Sequence, residues 1–79
     1  MVTVIRAHGL HVCIYMDDHE PAHVHVIGDG KAKINLDGPD GAPEVVQQKG
    51  MTFVEARRAK QIVEANREFL LGEWRRIHG

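Results

Sequence analysis

Seventy-nine residues make one domain near the lower size at which a core holds without staples, burying only roughly 60–65% of its extended surface. Ten basic and eleven acidic side chains leave a formal charge of −1, whereas a dedicated nucleic-acid binder is usually clearly basic. The one cysteine, Cys13, excludes an internal disulfide and fits a reducing compartment. No apolar run approaches the ~20 residues that span a bilayer, and the opening MVTVIRAHG lacks the build of a secretory signal. A cytoplasmic, non-membrane protein is expected.

In chain order, residues 2–6 (VTVIR) predict a short strand rich in β-branched side chains, closed by a turn at His8-Gly9. Residues 11–16 (HVCIYM) and 22–27 (AHVHVI) alternate polar and apolar, as half-buried strands do. The loop between them, DDHEP, offers aspartates for turn hydrogen bonds and Pro21 to fix φ. Gly28-Asp29-Gly30 is a hairpin connection, and residues 31–36 (KAKINL) alternate again. The loop DGPDGAP precedes a fifth candidate strand at 44–47. A helix follows over about 53–77. Thr52 and Glu55 have capping-box spacing, with Met51 placed for a hydrophobic staple. Ala56, Ala59, Val63, Leu70, Trp74 and Ile77 form one helical stripe, on which Trp74 reads as a core anchor and Asn66 as a residue bonding to a loop carbonyl. Unbroken, that helix is about 39 Å long at ~1.5 Å per residue, against about 20 Å for a six-residue strand. Either Gly72 bends it or something else covers Ile62, Phe69 and Leu71. The fold class expected is α+β: a small antiparallel meander of three to five strands with one long C-terminal helix on one face.

Parity within the strands assigns the faces. Pairing the hairpins around their loops puts Val12, Ile14, Met16, Ala22, Val24, Val26, Ala32, Ile34 and Leu36 on one face. The other face carries His11, Cys13, Tyr15, His23, His25, Ile27, Lys31, Lys33 and Asn35. In this register His25 lies between Cys13 and Lys33, and His23 between Tyr15 and Asn35. Neighbouring strands are about 4.8 Å apart, so these side chains can touch. Antiparallel sheets often have one wet face, but wet faces are usually built from Thr, Lys, Glu and Arg rather than histidine with Tyr and Cys.

Several chemistries fit that face, and the sequence leaves them open. His19, His23 and His25 offer three imidazoles within seven residues for a divalent metal, with Cys13, His11 or Asp18 as a fourth ligand and Lys33 as a nearby opposing charge. His23 and His25 with Lys33 and Tyr15 supply two near-neutral titrating groups and a cation, a set suited to metal-independent RNA cleavage. Only that reading brings in a nucleic-acid partner. The third reading is recognition, in which Tyr15, the histidines and Ile27 form a patch covered by another protein or a second copy. The plain alternative is a solvated face whose histidines bond to the Asp17–Pro21 loop. No resident cofactor is required by any of these except the first.

Asp18-His19-Glu20-Pro21-Ala22-His23-Val24-His25-Val26 resembles the signature Asp-His-x-Pro-Pro-His-Phe-His-Val of a family of small bacterial proteins, the domain of unknown function 4160. The resemblance extends over nearly the whole chain, including Glu64, Glu68 and Leu70 ahead of Trp74. Ala22 replaces the usual second Pro, Val24 the usual Phe, and the Asp37–Pro43 loop is longer than typical. Membership implies a small cytoplasmic protein often paired with a second short reading frame, in the style of a toxin–antitoxin module. The function expected first is a component of such a module acting through protein–protein binding, with the histidine face or the helix overhang meeting the partner. Asp18, His19, Pro21, His23 and His25 are the signature residues it implies.

Overall fold

The structure, a computed structural model, describes residues 2–79. Five strands, β1 (Val2–Ala7), β2 (Leu10–Ile14), β3 (His23–Ile27), β4 (Lys31–Asn35) and β5 (Glu44–Lys49), are followed by helices α1 (Phe53–Ala65) and α2 (Arg67–His78). The strands form one antiparallel meander in the order β1-β2-β3-β4-β5. The fold is α+β, with the helices on one face of an open sheet. No helix among the described residues is long and apolar enough to cross a membrane.

The predicted alternation is the one observed. Val12, Ile14, Val24, Val26, Ala32, Ile34 and Leu36 are all buried, and they pack with Ala59, Ile62, Val63, Leu70 and Trp74 of the helices. Each fully buried aliphatic side chain contributes about 1.5–3 kcal/mol, so this one face supplies most of the driving force for folding. Met16 departs from the predicted face: it is 71% exposed. The cause is local. Asp18 accepts from the Tyr15 N–H through its carboxylate and donates its own N–H to the Tyr15 carbonyl, both at 3.1 Å. That turn takes the chain off the sheet after Ile14, before Met16 can join the ladder.

The expected single helix is two. Asn66 sits at φ −118°, ψ 18°, outside helical geometry, and its side-chain amide donates to the Ile62 carbonyl at 2.8 Å. Its partner is thus on its own helix rather than on a loop. This is the local side-chain competition that makes Asn a poor interior helix residue. Arg67 then holds the new direction: its Nε donates to the Leu36 carbonyl at 3.0 Å and its guanidinium pairs with Asp37. The break solves the length mismatch, since a straight rod of about 39 Å would exceed the longest dimension of the molecule, 33 Å. Gly72, the other predicted bend, lies inside α2 with open space beside it. Of the apolar excess, Ile62 is buried and Leu71 half-buried, while Phe69 stays 51% exposed.

Thr52 caps α1 as expected, accepting from the Glu55 N–H at 3.1 Å. Glu55 does not complete the box. Its carboxylate accepts from the N–H groups of Asp29 and Gly30, each at 3.4 Å, and so ties α1 to the β3–β4 turn. Gly30 is required there by close approach. A Cβ at this position would lie 2.2 Å from the Gly50 carbonyl carbon and 2.4 Å from the Lys49 oxygen.

Candidate functional site

Asp18, His23 and His25 converge where the β2–β3 loop meets β3. Their potential ligand atoms all lie within 4.8 Å of one another. His23 Nε2 is 3.3 Å from Asp18 Oδ1, and His25 Nε2 is 3.2 Å from Asp18 Oδ2. The sequence builds this in two steps. The Tyr15–Asp18 turn aims the carboxylate back over the sheet, and the period of two along β3 puts both imidazoles on the same side. The cross-strand neighbours are as predicted: His25 pairs with Cys13 on one side and Lys33 on the other, and His23 pairs with Asn35. Tyr15 falls beyond the β2 ladder, so it is not a ladder partner of His23; instead its ring stacks on His25 at 4.2 Å.

The two histidines live in different surroundings. His25 is half-buried on the open face, whereas His23 is only 4% exposed. Trp74 accounts for the difference. Its ring lies 5.2 Å from that of His23, and its indole N–H donates to Glu20 at 3.2 Å, pinning α2 to the loop. His78 closes the same end, its ring 3.9 Å from that of Trp74 and tilted by 33°, with Nε2 3.1 Å from the Tyr15 carbonyl. The expectation that His23 faces solvent or a partner is therefore corrected. The sheet points it outward, and the last turns of α2 wrap round the sheet end and enclose it.

Hydrogen-bond chemistry constrains the proton positions. His23 Nδ1 is 2.8 Å from the Pro21 carbonyl. A carbonyl only accepts, so Nδ1 carries the hydrogen, and Nε2 of the neutral ring presents a lone pair. That lone pair faces the Asp18 carboxylate. Two electron-rich groups at that distance repel unless a cation lies between them, either a second ring proton or a metal ion. Asp18 is held below the usual carboxylate range. Burial pushes its pKa up but is outweighed by the Tyr15 N–H, the His25 hydrogen bond and the two imidazoles. His25 is pushed below the usual imidazole range by burial, helped by His23 and Lys33, against the opposing pull of Asp18. An ionised carboxylate beside an imidazole biased to neutrality is the protonation state that a metal site needs.

Not every candidate joins the cluster. His19, the third imidazole expected for a metal, is exposed and stands apart from it; Asp18 takes its place, because the turn points the carboxylate inward. Cys13 is fully buried, its sulfur 3.6 Å from the Thr3 hydroxyl, which suits a packing role. Lys33 neighbours His25 across the strands, and Tyr15, His25 and Lys33 line one side of a groove of about 450 Å³. Pro21 acts through its carbonyl, as the acceptor that fixes the His23 tautomer. Glu20, Trp74 and His78 complete the surroundings; no local pattern links these residues to His23, which lies more than fifty positions from Trp74 and His78.

A family model described as Domain of unknown function (DUF4160) matches residues 9–75. No curated protein matches, nor does any solved structure.

Proposed function

The chain belongs to this family of unknown function, so its chemistry has to come from its own residues, and we propose that it binds a divalent transition metal through Asp18, His23 and His25. The observation that carries the reading is the convergence of two imidazoles and one carboxylate within 4.8 Å, with the enclosed His23 ring turning its Nε2 toward Asp18. Ligating histidines commonly donate their other N–H to a backbone carbonyl, which fixes the tautomer; Pro21 serves His23 in this way. The separations are near those of a bound site. Ligand bonds of 2.0–2.2 Å in tetrahedral geometry put neighbouring ligand atoms about 3.3 Å apart. The imidazoles lie 3.3 and 3.2 Å from separate oxygens of Asp18, and the three ligand atoms fall within 4.8 Å, so the side chains would draw together around an ion. Two imidazoles and one carboxylate favour zinc, iron, nickel or copper over magnesium or calcium. Three protein ligands leave a coordination position for water or a ligand from the open face.

Two-imidazole cleavage of RNA is served less well by this geometry, because His23 is enclosed and both its nitrogens are engaged. The test is metal titration of the untagged chain, with Co²⁺ absorption as the spectroscopic readout. One ion per chain is expected. Asp18→Asn and His23→Gln should each weaken binding by at least tenfold, the scale seen even for outer partners of a metal site, while His19→Gln should leave it unchanged. No bound Zn²⁺, Co²⁺, Ni²⁺ or Cu²⁺, or equal binding by all three variants, would end the proposal.

Action alongside a second small protein is a separate proposal, and other residues carry it. Phe53, Val54 and Phe69 are exposed on the helices at 79%, 56% and 51%, away from the histidine face. A complex with the product of a neighbouring reading frame should survive Asp18→Asn and be lost with Phe69→Glu; the reverse pattern would place the partner on the sheet.

A further inference from the structure

The open face of the sheet carries a charge pattern that the metal centre does not use. Two rows of side chains cross all five strands. One reads Arg6, His11, Ile27, Lys31, Lys49, and the next reads Thr3, Cys13, His25, Lys33, Gln47. These rows hold Arg6, Lys31, Lys33 and Lys49, which are all four basic residues of the first fifty. The acidic residues of that half lie in loops, except Glu44 at the start of β5. Among the described residues, none of the four cations pairs with a carboxylate within 4.0 Å. The near-neutral total therefore conceals a cationic strip of this face, bounded at one end of the sheet by Asp18 and Glu44. Within that face, the groove of about 450 Å³ is lined by Lys31, Lys33 and Lys49 together with Tyr15, His25 and Gln47.

We infer that this groove binds single-stranded RNA, with the lysines on its phosphates and the Tyr15 ring beneath a base. Three unpaired ammonium groups around one concavity fit a polyanion, and lysine engages phosphate as a point charge without demanding one geometry. An aromatic ring among cations on a sheet favours single strands, whose unstacked bases can lie on it, over a duplex that keeps its bases inside. The Gln47 carboxamide offers a donor and an acceptor that a 2′-hydroxyl can use and a deoxyribose cannot. The inference goes beyond the metal proposal, since none of the three lysines belongs to the Asp18–His23–His25 cluster.

Fluorescence anisotropy with a labelled twelve-nucleotide oligouridine, in EDTA, tests it. Binding should weaken with salt at a log–log slope of about −2, from three phosphate contacts at ~0.7 each. Lys31→Ala with Lys33→Ala and Lys49→Ala should abolish it, whereas Arg57→Ala with Arg58→Ala on α1 should not change it. Tyr15→Leu should cost roughly tenfold, and Tyr15→Phe little, as expected for stacking; circular dichroism checks that each variant is folded. The deoxy oligomer of the same length should bind several-fold more weakly. Absence of binding at low salt, equal loss from the α1 pair, or equal affinity for the deoxy oligomer would overturn the proposal. The His23→Gln protein separates the two ideas, since His23 belongs to the metal cluster and does not line the groove: it should lose metal and keep RNA.

Discussion

The two faces of one sheet obey different rules. On the covered face, Val12, Val24, Val26 and Ile34 are fully buried aliphatics under the helices, and any residue of similar volume and polarity would do. On the open face, His25, Lys33 and Tyr15 are partly exposed, and their identities matter because their value lies in protons, charge and ring geometry. The lesson is that a strand of this size serves both ends at once: neighbours in sequence, such as Lys33 and Ile34, do unrelated work.

The largest effect should come from breaking that pair apart. Ile34→Ala removes buried volume and is expected to destabilise by about 2–5 kcal/mol, whereas Lys33→Ala should stay within about 0.5 kcal/mol; urea unfolding of both measures the contrast. Equal effects would mean that Lys33 supports the fold.

A smaller loss, about 1 kcal/mol, is expected for Thr52→Ala, which removes the α1 cap but leaves both faces intact. Thermal melts should show this loss with no change in metal or RNA binding.

The finest probe is pH, followed by unfolding in EDTA. His25 and Asp18 both have folded-state pKa values below their ordinary ones. Each therefore binds a proton more readily in the unfolded chain, so stability falls as pH falls. The His25 contribution is complete above its unfolded value of ~6.5, and that of Asp18 above ~3.9; each is lost below those values, through the folded pKa. His25→Gln should abolish the upper decline and reduce the lower one, since His25 is one of the groups that hold the Asp18 carboxyl down. A rise on acidification from neutrality that His25→Gln removes would mean that His25 is held as a cation instead.

Much of the open face was legible because side-chain direction in a strand repeats every two residues, whatever the helices do. The placement of His25 between Cys13 and Lys33 follows from that period and two hairpin loops, and it is found. Met16 escaped because the Tyr15–Asp18 turn, set by one carboxylate, ends the ladder early. Asn66 escaped in a similar way: it fits the apolar stripe, and only its bond to Ile62 shows that it ends a helix. His19 looked equal to His23 and His25 by spacing, and the direction of the loop separated them.

The sequence by itself determined the order of the elements, the two faces of the sheet and the segment that holds the chemistry, because these depend on short-range periodicity and turn residues. The tertiary structure alone decided that His23 is enclosed by Trp74, that Asp18 is the third group, and that four cations gather on one surface. Those facts join residues far apart in the chain, through packing that no local pattern encodes.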